Sequence, residues 1–218
     1  MEKAKKVLEF YVLTNKLKDV IRTGWKDWGV FRDRVESIAE HVYGVQQLAL
    51  IMWSEYDYDV DIKKVLMMLA VHELEETVIG DLTQFQISKE EKNKIGHKAV
   101  EDILSDVASG VEIKSLIFEF DERKTKEAKF AHLCDKLECD IQCKLYDEEV
   151  CVDLDLQEGN NSYNDPTVQK LLGQDKCWSE MWMEFGRLKY PYDDNFKEVS
   201  VYAETHDLHD LVKRKVSK

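Results

Sequence analysis

An all-α fold follows from three features of the sequence: proline is nearly absent, glycine is scarce, and apolar residues recur at helical spacing. Only Pro166 and Pro191 stand in 218 residues, with nine glycines. No strand-like alternation is sustained and closed by hairpin turns. With 44% apolar residues, the chain can bury one sizeable core, as one domain or as a domain with an elaborated end.

The first helix is predicted over residues 2–21, with Val7, Leu8, Tyr11, Val12 and Leu17 on its apolar side. "RTGWKDWGVFRDRVE" then reads as a loop. Ser37 caps the second helix, because Glu40 three residues on completes a capping box. That helix runs to about Glu55 with Ile38, Val42, Val45, Leu48, Ala49 and Met52 inward. The third spans Ile62 to about Ile79, stopped by Gly80. Ser88 and Glu91 repeat the capping pattern for a helix to about Leu104, and a further helix is expected near 111–121. A long helix covers about Thr125–Asp147. "DLQEGNNSYNDPTV" reads as a loop by its Gly, Asn, Asp and Pro content. Residues 167–188 read as one helix, with Trp178, Met181, Trp182, Met183 and Phe185 as core or a dimer contact. The last thirty residues mix aromatic and charged positions and end in a frayed tip, "KRKVSK".

Composition narrows the function classes. The formal net charge is −13, and 34% of residues are charged. Such a chain is repelled by nucleic-acid backbones and anionic membranes, so neither is expected as a partner. The longest apolar run, Val65–Val71, is far short of the roughly 20 residues that span a bilayer. The N-terminus alternates charged and apolar residues and lacks the pattern of a signal peptide. A cytoplasmic protein is expected. The five cysteines, Cys134, Cys139, Cys143, Cys151 and Cys177, are odd in number and form no CxxC pair, so they read as small core residues.

The third helix carries an anomaly. Ile62, Val65, Leu66 and Leu69 mark one apolar face, and the same spacing continues onto His72, Glu73 and Glu76. His41 falls in the inward row between Ile38 and Val45. Burying an ionised carboxylate without a partner costs several kcal/mol or shifts its pKa until it is neutral. Several inward polar groups therefore suggest a shared divalent cation, for which imidazole and carboxylate are suitable ligands. A further acid should come from another helix. Asp135, beside the small Ala128 and Ala131, competes there with Glu138 and Asp140. A zincin site is excluded, because Glu76 stands where the second histidine would be needed. A di-iron bundle lacks its paired Glu-x-x-His motifs.

Five blocks then resemble one family: "LKDVIRTGW" at 17–25, "RVESIAEH" at 34–41, "LAVHELEETVIGDL" at 69–82, "SKEEKNK" at 88–94 and "EAKFAHLCDKLEC" at 127–139. Together they resemble the His-Asp (HD) domain phosphohydrolases, within them the 5′-deoxynucleotidase branch. The resemblance implies an HD-domain helical bundle over residues 1–150, with residues 151–218 as a C-terminal helical extension packed on it. It implies one divalent metal (Co, Mn, Ni, Fe, Zn or Mg) held by His41, His72, Glu73 and Asp135. Glu76 and Asp81 would position or deprotonate the attacking water. Arg22 would grip the phosphate, Trp25 would face the sugar, and Arg34 and Lys92 are candidate second phosphate contacts. The implied reaction is hydrolysis of a (deoxy)nucleoside 5′-monophosphate, by a homodimer as in many family members. Glu73 departs from the family's aspartate, and its added methylene reaches about 1.5 Å further. That departure leaves one alternative, a nucleotide-binding relative with weakened or lost turnover; another HD phosphodiesterase or phosphohydrolase is the second. A purely structural helical protein with buried ion pairs is the third.

Overall fold

The computed structural model describes residues 1–216. Twelve α-helices follow in order: α1 (Glu2–Asn15), α2 (Thr23–Asp27), α3 (Ile38–Tyr56), α4 (Ile62–Val71), α5 (Glu76–Ile79), α6 (Lys89–Leu104), α7 (Gly110–Glu122), α8 (Lys126–Glu148), α9 (Pro166–Leu172), α10 (Trp178–Lys189), α11 (Asp194–Thr205) and α12 (Leu208–Val216). Among the described residues, extended pairing is limited to one antiparallel bridge, Ile21 to Ser37. The fold is all-α, and no described helix is long and apolar enough to cross a membrane. The end of the "KRKVSK" tip, residues 217–218, lies outside the described residues.

By contacts the chain forms two compact units. The first comprises Met1–Gly24 and Glu36–Cys134, the second Trp25–Val35 and Asp135–Lys218. In the first, α4 packs on α3 and α7, and α7 on α6. Leu74, Val100, Leu104 and Ile117 form a core there, with Phe10 and Phe118 packed against it. Each such side chain contributes about 1.5–3 kcal/mol by leaving water. Ser37 starts α3 as expected: its hydroxyl accepts from the Glu40 N–H, and Glu40 Oε2 accepts from the Ser37 N–H at 2.9 Å. Beside it the Arg22 N–H donates to the Glu36 carbonyl (3.0 Å) and the Ile38 N–H to the Val20 carbonyl (2.8 Å). These bonds pin the 20–22 segment to the start of α3. The second unit is built on aromatic rings: Trp25, Trp28, Tyr146 and Trp178 pack with Cys143, Cys151, Val168, Leu171 and Met181. Among the described residues, none of the five cysteines is joined in a disulfide.

Four expected elements differ. The first helix ends at Asn15, followed by a 3-10 turn over Lys16–Lys18. Its Val7, Leu8, Tyr11 and Val12 are exposed; the helix docks through Phe10 instead, and its Lys6 ammonium donates to the Asp106 carbonyl at 2.8 Å. The "RTGWKDW" stretch is not all loop. It holds α2, and Gly29, at φ 64°, follows in the left-handed region that favours glycine. The third helix stops at Val71 rather than Ile79. From there the backbone tightens to i→i+3 bonds, Leu74 N–H to Val71 O, Glu76 N–H to Glu73 O and Thr77 N–H to Leu74 O, before the single turn of α5. Residues 167–188 form two helices. Gly173 closes α9 with its N–H on the Gln169 carbonyl, Asp175 adopts φ 58°, and α10 restarts with the Cys177 N–H on Glu180 Oε2 at 2.9 Å.

Candidate metal centre

The tightened turn after α4 aims two donors, from His72 and Glu73, at the point to which His41 of α3 brings a third. His72 Nδ1 lies 2.8 Å from the Leu69 carbonyl. A carbonyl only accepts, so Nδ1 carries the proton and Nε2 keeps its lone pair, the tautomer a metal ligand requires. His72 Nε2 is 3.5 Å from Glu73 Oε1, and His41 Nε2 is 3.8 Å from the same oxygen. The two imidazole centroids stand 5.6 Å apart. His41 is fully buried on α3, one turn past its cap. Two imidazole nitrogens and a carboxylate oxygen within 4.8 Å of one another form a donor set that fits a divalent cation. Glu73 reaches both rings despite its extra length, and Arg22 Nη1 meets the same Oε1 at 3.4 Å.

The neighbouring acids have different partners. Glu76 is 1% exposed. Its Oε1 accepts from the Lys92 ammonium at 2.8 Å, while its Oε2 has no hydrogen-bond partner among the described residues. Burial first, then the charge of Glu73, push the Glu76 carboxyl well above the usual carboxylate range, and Lys92 pulls it back. Burial alone would lower the Lys92 pKa, but Glu76 and Glu73 outweigh it and raise it. Burial and then Glu73 push Glu75 up to about 8. Asp81 Oδ2 accepts from the Thr23 N–H at 2.6 Å, and the Asp81 carbonyl accepts from Thr23 Oγ1 at 2.7 Å. The two bonds fasten the Gly80–Leu82 segment to the residue after Arg22.

His41, His72, Glu73 and Arg22 are thus brought together, with Glu76 and Asp81 engaged by Lys92 and Thr23. In the second unit Asp135 is 4% exposed and pairs with Lys136 at 2.9 Å. Its competitors Glu138 and Asp140 are also buried, but Asp140 is bonded to the Tyr192 hydroxyl at 2.9 Å. Trp25 is 2% exposed, its ring 5.3 Å from both Tyr146 and Trp182. Arg34 is exposed. Sequence reasoning missed the tasks of Lys92 and Thr23. Lys92, a candidate phosphate contact by resemblance, pairs with Glu76 sixteen residues away, which no helical periodicity encodes.

A family model described as the HD domain matches residues 14–172. The 5′-deoxynucleotidase HDDC2 of Dictyostelium discoideum is 32% identical over 150 residues, covering 65% of this chain and 78% of its own. The 5′-deoxynucleotidase hdd1 of Schizosaccharomyces pombe is 29% identical over 163 residues, covering 72% of this chain and 80% of its own. Among solved structures, a conserved hypothetical protein from Pyrococcus furiosus superposes with a TM-score of 0.57 at 26% identity, over 77% of this chain and 97% of its own.

Proposed function

The chain belongs to the HD-domain family, and from that membership we propose that it is a metal-dependent phosphomonoesterase acting on (deoxy)nucleoside 5′-monophosphates, with nucleoside and phosphate as products. The relatives named 5′-deoxynucleotidases support the substrate class. The observation that carries the reading is the convergence of His41 Nε2, His72 Nε2 and Glu73 Oε1. In this reading Asp135 is the fourth ligand of the single divalent ion, a role supported by its sequence block, its burial and its donor chemistry. The deoxyribose preference, a cytoplasmic setting, a homodimer and the division of the chain near residue 150 belong to the same proposal, on the family resemblance.

A divalent cation at these donors would supply Lewis acidity toward a phosphate oxygen and acidify a water. The chain's own groups do the rest. Glu76 offers Oε2 to orient the water and take its proton. Arg22, a planar fork matched to phosphate oxygens, offsets charge on the phosphoryl group as the ester bond breaks. Asp81, through Thr23, holds the segment that carries Arg22. Trp25 would bound the sugar side; because it is also core, its loss should lower stability as well as affinity.

The test is phosphate release from every deoxy- and ribonucleoside monophosphate with Mn, Co, Mg or Ni, after chelation of any resident metal. Release that depends on added metal and disappears on chelation supports the reading. Metal-replete protein that binds dAMP and releases no phosphate would favour the binding-protein alternative, to which the Glu73 departure points. Equal turnover of AMP and dAMP would remove the sugar preference alone.

A further inference from the structure

Lys92 lies on α6, yet its side chain is only 28% exposed and its ammonium is turned inward. It donates to Glu76 Oε1 at 2.8 Å and to the Leu82 carbonyl at 3.1 Å. An ammonium has three N–H donors and no acceptor, so two of the three are spent on these partners. Both partners sit next to groups of the proposed reaction: Glu76 itself, and the residue after Asp81. The Glu76 side chain is fully enclosed. A carboxylate so placed has two oxygens that could exchange roles by a half-turn about its last bond. Lys92 breaks that symmetry. Oε1 is claimed, and Oε2, buried and with no hydrogen-bond partner among the described residues, is the oxygen left over.

We propose that Lys92 is a positioning residue of the hydrolysis: it clamps Glu76 through Oε1 and the Gly80–Leu82 segment through the Leu82 carbonyl, so that Oε2 alone meets the water. This rests on the phosphomonoesterase reading above. The clamp also keeps a buried negative group beside a fixed positive one, where removing either partner leaves the other stranded in the interior. The same ammonium joins the turn of α5 to the loop that holds Thr23. One side chain therefore sets the angle of the base and steadies the segment behind Arg22.

The experiment uses the metal-loaded full chain and phosphate release from the monophosphate it turns over best. K92M should lower kcat about 100-fold, leave KM nearly unchanged, and leave the bound metal per chain at the native value. K92R should recover part of the loss. In an E76Q background K92M should add nothing, because the carboxylate it orients is already disabled. A K92M kcat close to native overturns the proposal. So does an equal K92M loss in the E76Q background, or a rise in KM at constant kcat, which would make Lys92 a phosphate contact. Should K92M not fold by circular dichroism, K92A with added ethylamine carries the test: recovery of kcat with amine supports the clamp, and no recovery removes it. Native protein that releases phosphate from no monophosphate fails the functional reading itself. Native turnover with an indifferent K92M fails only the clamp.

Discussion

Glu76 in the first unit and Asp140 in the second are both carboxylates held almost wholly out of water, and their surroundings differ in kind. Asp140 Oδ2 takes the Tyr192 hydroxyl at 2.9 Å. A Cβ on Gly186 would stand 2.5 Å from Oδ2 and 3.0 Å from Oδ1. Burial pushes the Asp140 carboxyl well above the usual range, opposed by bonds from Tyr192 and Trp182 and by the charges of Arg187 and Lys136. Its polar capacity is spent on the fold, joining α8 to α10. Glu76 has one oxygen committed to Lys92 and one held in reserve. The lesson is that burial of an acid does not mark a site. An unspent oxygen beside converging imidazole and carboxylate donors marks a candidate one.

The contrast can be broken by experiment, and the largest effect comes from Glu76. E76Q should lower kcat by about 10²–10⁴-fold in phosphate release, whereas D140N should leave the rate per folded molecule near native. Equal activity losses would erase the distinction between the two acids. Next in size, G186A should destabilise the protein by about 1–3 kcal/mol through overpacking, read as a lower urea midpoint at constant slope. Turnover per folded molecule should not change; if it fell as far as stability, Asp140 would belong with the chemistry. The smallest effect is on pH dependence. A carboxyl raised in the folded state binds its proton more tightly there than in the unfolded chain. Stability is therefore lost as pH climbs from the unfolded value, about 4, toward the folded one. Asp140→Asn has no such slope, so its stability relative to the native chain should rise over that window, by at most about 1.4 kcal/mol per pH unit. A flat difference across urea titrations at several pH values would show that Asp140 ionises without cost.

Much of this was legible in the sequence where the cause is local. The Ser37–Glu40 box and the Ser88 cap appear where a polar side chain meets an orphan N–H within one turn. The inward histidine and carboxylates were visible because a helical face cannot hide charge among apolar neighbours. Causes that act across the fold were not visible. The wheel that placed His72, Glu73 and Glu76 on one side was drawn for a regular helix, and the backbone instead tightens at Val71, where the His72 ring engages the Leu69 carbonyl. Val7, Leu8, Tyr11 and Val12 fit an apolar stripe, but periodicity cannot say whether anything covers it. The Lys92–Glu76 and Thr23–Asp81 bonds join separate elements, so only tertiary geometry reveals them.

The bond from the His72 ring to the Leu69 carbonyl has a consequence for how such a nest is filled. Because main chain, not cargo, holds the imidazole at its angle, an arriving ion would surrender little torsional freedom to find its seat, and a departing one would leave no scrambled socket behind. Under the proposed reading, discrimination among metals would shift from the rings to Glu73, whose longer arm would be the adjustable member.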